Sequence, residues 1–382
     1  MADPKKPAVV LHSPAGFCDE IVSPMRAVTV VPGRAHSLTV RDDVPEPSGD
    51  DGQALVRILE TGVCGTDVDI EAAQFGDAPP GSPYLILGHE NLGVVEKPPG
   101  GSALRRGDLV VATVRRPCPE RCRACVEGQQ DMCLSGHYLE RGIKGLHGFM
   151  SDLYAESPHY LVRVPPSMRP IAVLVEPLSF IEKGIEQALR IQQRLVYEPG
   201  HALVLGAGPI GLLAGLVLIL RGLRVTMASR GAPDRPAARL AEDAGMRYVS
   251  TEATPVDRIP ALVGPIDLVF ESTGAASMVM PAIGVLGLNG VCILGSVTAS
   301  AKKTEVDVAA FNQSMVLGNR VVLGTVNAAL RHFEAAARDL EAAQARFPGW
   351  LERMITRRLP VKDARQAFER GPADIKSVLR FD

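Results

Sequence analysis

The rhythm of hydrophobic and polar positions changes once along this chain. From Met25 the apolar residues come in short runs broken by Gly and Pro. Met25–Val31 stops at Pro32-Gly33, Ala54–Glu60 leads into Thr61-Gly62-Val63-Cys64-Gly65, and Gly93–Glu96 and Leu109–Thr113 follow. Short apolar runs closed by turn residues predict β-strands, so this half reads as β-rich. After Pro177 the period lengthens. Ile181, Ile185, Ala188 and Leu189 fall on one side of a helix predicted over Ser179–Gln193. Strands and helices then alternate: strand Ala202–Leu205, helix Pro209–Arg221, strand Arg224–Ala228, helix Arg235–Ala244, strand Tyr248–Val249. Strand Leu268–Phe270, helix Ala276–Leu286 and strand Gly290–Leu294 continue the series. Such alternation predicts a doubly wound parallel sheet. A helix over Ala328–Arg346 and a strand at Val378–Phe381 close the chain. The expected division is an appendage over residues 1–24, a β-rich domain over 25–190 completed by 324–382, and an α/β domain over 191–323.

The length of 382 residues suits two cores rather than one. Leu203–Leu220 is apolar enough to span a bilayer, but Gly206, Gly208, Pro209 and Gly211 interrupt it. A strand, a tight turn and a buried helix account for it better, and no membrane partner is expected. The 41 basic and 43 acidic side chains leave a net charge of −2, which argues against nucleic acid as a partner. Met1–Glu20 lacks the apolar stretch of a signal peptide, so a cytoplasmic protein is expected. Of the seven cysteines, Cys118, Cys122, Cys125 and Cys133 fall within sixteen residues. An odd total with such clustering fits metal ligation in a reducing compartment better than disulfides.

Gly206-Ala207-Gly208-Pro209-Ile210-Gly211 follows a predicted strand and opens a predicted helix. In that setting the glycines predict a dinucleotide site. Gly206 makes the tight turn, Gly208 admits the pyrophosphate, and Gly211 lets helix and strand pack. The helix N-terminus presents free N–H groups to phosphate. The next strand ends in Met227-Ala228-Ser229-Arg230, without the acid that holds an NAD ribose. Ser229 and Arg230, assisted by Arg235, fit the 2′-phosphate of NADP, so NADP is expected over NAD, with NAD possible.

Cys118-x3-Cys122-x2-Cys125-x7-Cys133 offers four thiolates, the donor set of a closed structural zinc site. Cys64, His89, Glu90 and Glu176 are dispersed. Together they have the donor types of a catalytic zinc with one open position. Singly, Cys64 reads equally as a small buried hydrophobe, His89 as a core histidine and Glu176 as a capping acid. Spacing alone does not assemble them.

Several segments together resemble the zinc-dependent medium-chain dehydrogenase/reductases, glucose 1-dehydrogenase branch. They are Val63-Cys64-Gly65-Thr66-Asp67, Ile86-Leu87-Gly88-His89-Glu90, the four-cysteine lobe, Gly142–Phe149, Val175-Glu176-Pro177-Leu178, the glycine fingerprint and Gly324-Thr325-Val326-Asn327. The resemblance implies a GroES-like β-rich catalytic domain plus a Rossmann doubly wound parallel sheet. It implies two zinc ions per chain, one held by Cys64, His89 and Glu90 with Glu176 as a close or water-bridged fourth group. Thr66 then touches the reacting hydroxyl, and Glu140, Glu176 and Asn327 bind other hydroxyls of a sugar or polyol. Thr273, Gly274, Gly295 and Ser296, with Asn327, line the nicotinamide side. The implied reaction is oxidation of an aldose at C1 to the lactone, by a homodimer or homotetramer. Another polyol, a cyclitol or a simple alcohol is the alternative substrate; a non-catalytic dinucleotide-binding protein and a zinc-storage or structural protein are the remaining alternatives. The lobe departs from the common pattern in having three residues between Cys118 and Cys122, where two are usual.

Overall fold

The strand Ala54–Gly62 alternates buried and solvent-facing residues over its first half and is buried from Glu60 to Gly62. That change marks where it stops being half of a surface and enters the functional core. It pairs antiparallel with Glu90–Lys97, Leu153–Glu156 and Lys376–Arg380. The computed structural model describes residues 9–10, 21–49, 52–298 and 305–381. Within these the chain forms two units. One is Met1–Glu176 with Arg357–Gly371 and Lys376–Asp382; the other is Pro177–Thr356 with Pro372–Ile375.

The first unit is built on a seven-stranded sheet with smaller three-stranded sheets beside it. Its core gathers Val28, Val56, Ile58, Leu85, Leu87, Val95, Val110, Phe149 and Met150, and from the chain's return Leu379 and Phe381. Burial of each large side chain stabilises the fold by about 1.5–3 kcal/mol.

The second unit is a six-stranded sheet, every adjacent pair parallel. Its order is Arg247–Ser250, Arg224–Ser229, His201–Leu205, Leu268–Glu271, Val291–Leu294, Val321–Gly324. Numbered along the chain this is 3-2-1-4-5-6, the doubly wound order. The apolar run from Leu203 is the central strand followed by the helix Pro209–Leu220, whose residues from Gly211 to Ile219 are buried. A strand and helix covered on all sides need no polar face. Among the described residues no helix is long and apolar enough to cross a membrane.

The boundaries fall elsewhere than at 190 and 324. The helix Val175–Gln192 packs with the parallel sheet: a Cβ on Gly184 would stand 3.0 Å from Thr325 and 3.2 Å from Ile293. Val321–Gly324 is the sixth strand of that sheet, and the helix Leu330–Arg346 lies against Pro209–Leu220, with Arg346 donating to the Ile219 carbonyl. The chain therefore returns to the β-rich unit only at Arg357. Most of the expected appendage lies outside the described residues; of it, Val9–Val10 pairs antiparallel with Ile21–Val22.

Candidate active site

Cys64 follows the strand Ala54–Gly62 by two residues and caps the helix Gly65–Glu71. Its N–H donates to Asp67 Oδ2 at 2.9 Å, a reciprocal cap that fixes the turn. The other oxygen, Oδ1, accepts from the Gly88 N–H at 3.2 Å and lies 3.5 Å from His89 Nδ1. Asp67, wholly buried, thus ties the Cys64 turn to the His89 turn. Gly142 and Gly148 press on the latter: a Cβ on either would fall within 2.5 Å of a Leu87 or Gly88 carbonyl. The glycine-rich segment Gly142–Phe149 therefore braces the loop that carries His89.

These turns bring the ligand atoms of Cys64, His89 and Glu90 to within 4.8 Å of one another. Burial acts against a charged His89 ring, yet Asp67, and behind it Cys64, raise its pKa well above the ordinary value. The negative field that retains a proton there also favours a metal cation. Glu90 Oε1 is buried with no hydrogen-bond partner among the described residues, as suits an oxygen reserved for a metal. The donor set and this orphaned atom fit zinc. The Thr66 hydroxyl stands 3.9 Å from Cys64 Sγ. Glu176 lies outside the cluster of three but within reach of its charges. Desolvation pushes its pKa up to about 7, with His89 pulling down and Glu90 pushing up.

The four thiols of the lobe also lie within 4.8 Å of one another. The extra residue after Cys118 is absorbed at Arg121, which takes a left-handed conformation at φ 51°. The Cys122 N–H then points at Cys118 Sγ, 3.2 Å away. Backbone N–H groups of Cys125 and Leu134 pull the Cys122 thiol down to about 6, while burial pushes Cys125 up to about 12. Four such neighbours release all their protons only around a cation.

Glu140 is not one of the three clustered groups. Its Oε1 accepts from Arg115 Nε and Nη2 at 3.1 and 3.0 Å, and Arg115 stacks 3.6 Å over the Tyr138 ring.

In the parallel-sheet unit the fingerprint glycines differ in their surroundings. Gly206 has φ 102°, and a Cβ on Gly211 would strike the Gly206 carbonyl at 1.8 Å. A Cβ on Gly208 would meet nothing within 4 Å, so that side is open to a ligand. Pro209 and Ile210 form the first turn of the helix, where Pro costs no hydrogen bond. Ser229 ends its strand, Arg230 is exposed, and Arg235 folds back beside Gly231. Thr273, Gly274 and Ser296 are organised by a buried carboxylate that the sequence did not single out. Glu271 accepts from Thr273 N–H at 2.7 Å and from Ser296 Oγ at 2.7 Å, and Ser296 accepts from Gly274 N–H at 2.8 Å. Gly295, beside Ser296, follows the adjacent strand. Asn327 is left-handed at φ 57°, its Oδ1 accepting from the Ala328 N–H, and Lys183 Nζ holds the preceding Val326 carbonyl at 3.0 Å.

Asp67, Glu271 and Lys376, which pairs with Glu90, are the functional neighbours that sequence reasoning missed. The one legible signal was the spacing Cys64-x-x-Asp67, a capping arrangement.

Two family models match the chain: Alcohol dehydrogenase GroES-like domain over residues 50–166, and Glucose dehydrogenase C-terminus over residues 169–381. A glucose 1-dehydrogenase of Methanocella arvoryzae is 46% identical over 361 residues, covering 94% of this chain and 99% of its own. One of Thermoproteus tenax is 43% identical, covering 93% and 99%. Among solved structures, the glucose dehydrogenase of Haloferax mediterranei in complex with NADP, Zn and gluconolactone superposes with a TM-score of 0.87. It is 34% identical and covers 94% of this chain and 99% of its own.

Proposed function

The chain belongs to the glucose dehydrogenase family of GroES-like alcohol dehydrogenases, and from that premise we propose that it oxidises an aldose, glucose first, at C1. The hydride passes to NADP and the product is the lactone. The observation that carries this reading is the convergence of Cys64, His89 and Glu90, with a Glu90 oxygen left unpaired. Those three residues would hold a catalytic zinc, and Cys118, Cys122, Cys125 and Cys133 a structural one. The catalytic ion supplies Lewis acidity at the substrate hydroxyl.

The chain's own groups do the rest. Thr66, close to the Cys64 sulfur, hydrogen-bonds the reacting hydroxyl and orients it. Glu90 and Glu176 are the carboxylates around the site; with Glu90 engaged as a ligand, Glu176 is the one that takes the hydroxyl proton outward. Glu140, stiffened by Arg115, and Glu176 bind other hydroxyls of the sugar. A sugar lacking one of those hydroxyls leaves a buried partner unsatisfied and is rejected. In the other unit the open side of Gly208 and the helix N-terminus take the pyrophosphate. Ser229 and Arg230, with Arg235, take the 2′-phosphate, and the Glu271-organised loops with Thr273, Gly274, Gly295 and Ser296 line the nicotinamide. We place the enzyme in the cytoplasm as a homo-oligomer. Reduction of NADP and NAD across a panel of aldoses, polyols and simple alcohols tests the reading; faster turnover of ethanol or butanol than of any aldose would refute it.

A further inference from the structure

One buried cation has so far had no part in the chemistry. Lys376 opens the strand Lys376–Arg380 and is 2% exposed. Strand pairing sets Val378 opposite Gly62, which places Lys376 beside the turn before Cys64. Its ammonium donates to the Val63 carbonyl at 3.1 Å and forms an ion pair with Glu90 Oε2. Gly62 leaves the room for this pair: a Cβ there would lie 1.8 Å from Glu90 Oε2 and 2.9 Å from Lys376 Cε. Neither Glu90 oxygen makes a hydrogen bond among the described residues, and the ion pair with Lys376 is made through Oε2. The two oxygens of one carboxylate therefore sit in different company.

A carboxylate binds a cation through one oxygen or through both. A catalytic zinc works with three protein ligands and an open position, and a second Glu90 oxygen would fill that position. Resting on the zinc site proposed above, we propose that Lys376 is a positioning residue. It engages Oε2, restricts Glu90 to one-oxygen binding of the metal, and so keeps a coordination position for the substrate hydroxyl. Partners of metal ligands commonly act in this way, through orientation and charge.

Cobalt(II) substitution with chelator competition tests the idea, because the visible bands of cobalt weaken as coordination rises from four to five. Bands are read as the difference from Cys64→Ala protein, which leaves the four-cysteine site as background. Lys376→Met is expected to weaken them, to hold zinc more tightly because a neighbouring positive charge is gone, and to lower kcat with KM for NADP unchanged. Adding Glu90→Gln to Lys376→Met is expected to restore the four-coordinate bands. Lys376→Arg, whose fork competes with the metal for both Glu90 oxygens, is expected to bind zinc roughly tenfold more weakly; it decides the matter if Lys376→Met does not fold. Unchanged bands and affinity in Lys376→Met and Lys376→Arg, in a protein whose wild type binds cobalt at Cys64, would overturn the role of Lys376 alone. A wild type with no Cys64-dependent bands would overturn the zinc site as well.

Discussion

Gly62 shows how much chemistry a single hydrogen side chain can carry. The Glu90 carboxylate crosses its Cα so closely that a methyl group has nowhere to go. Gly62→Ala is expected to displace Glu90 and reduce kcat by at least a hundredfold, while the protein still binds NADPH, whose glycine fingerprint lies in the other unit. Near-normal turnover in that variant would contradict the placement of Glu90. Arg230 makes a second residue-scale case. A charge-assisted hydrogen bond to phosphate contributes about 1.5–3 kcal/mol, so Arg230→Ala is expected to raise KM for NADP roughly ten- to a hundredfold. NAD lacks the phosphate and is expected to change little; a parallel loss for both would mean that Arg230 stacks on the adenine instead. Cys64, His89 and Glu90 were legible because each stands in a short, distinctive word of sequence. Lys376 was not, because its partner lies 286 positions away and only the pairing of Lys376–Arg380 with Ala54–Gly62 brings them together.

At the scale of elements, the parallel sheet was legible strand by strand because its buried strands are runs of apolar residues and its helices begin at Gly, Pro and Arg signals. The sixth strand, Val321–Gly324, escaped because it sits at the sheet edge, half-buried, and ends in the segment assigned to the return. The helix Val175–Gln192 was placed in the wrong unit because its inward face includes Glu182 and Lys183, charged residues that pattern reading leaves outside. Glu182 is also where pH acts on this element. Burial and the neighbouring Asp339 push its pKa up to about 8, against the pull of Arg221. The folded state thus binds a proton that the unfolded chain, with a pKa near 4.5, releases earlier. Stability from this group is complete below the unfolded value and is lost as pH rises toward 8, with a slope of up to about 1.4 kcal/mol per pH unit. Tm measured from pH 5 to 9 is expected to fall less steeply in Glu182→Gln than in wild type; equal slopes would remove Glu182 from the account.

For the whole molecule, the two units were legible as a change of period, but their borders were not, since the borders depend on which sheet each helix covers. One surface remains to be accounted for. The edge strand Val321–Gly324 follows the helix Val308–Leu317, where Val308, Val316 and Leu317 are 70%, 64% and 71% exposed. Exposed large apolar side chains on a helix that leads into an edge strand are an aggregation hazard unless something covers them. A second copy of the chain is the economical cover, because an isologous contact buries the same patch on both partners and satisfies both edges at once. Wild-type protein is accordingly expected to sediment at a multiple of its 40.7 kDa chain mass. Leu317→Glu combined with Val316→Asp places four like charges across such a contact, two from each partner, and is expected to shift the mass toward one chain at micromolar concentration. The Cys64, His89 and Glu90 cluster lies in the other unit, so zinc content should stay at two ions per chain. A double variant that keeps the wild-type mass would show that this face is not where the copies meet, and a monomeric wild type would show that the patch is left bare.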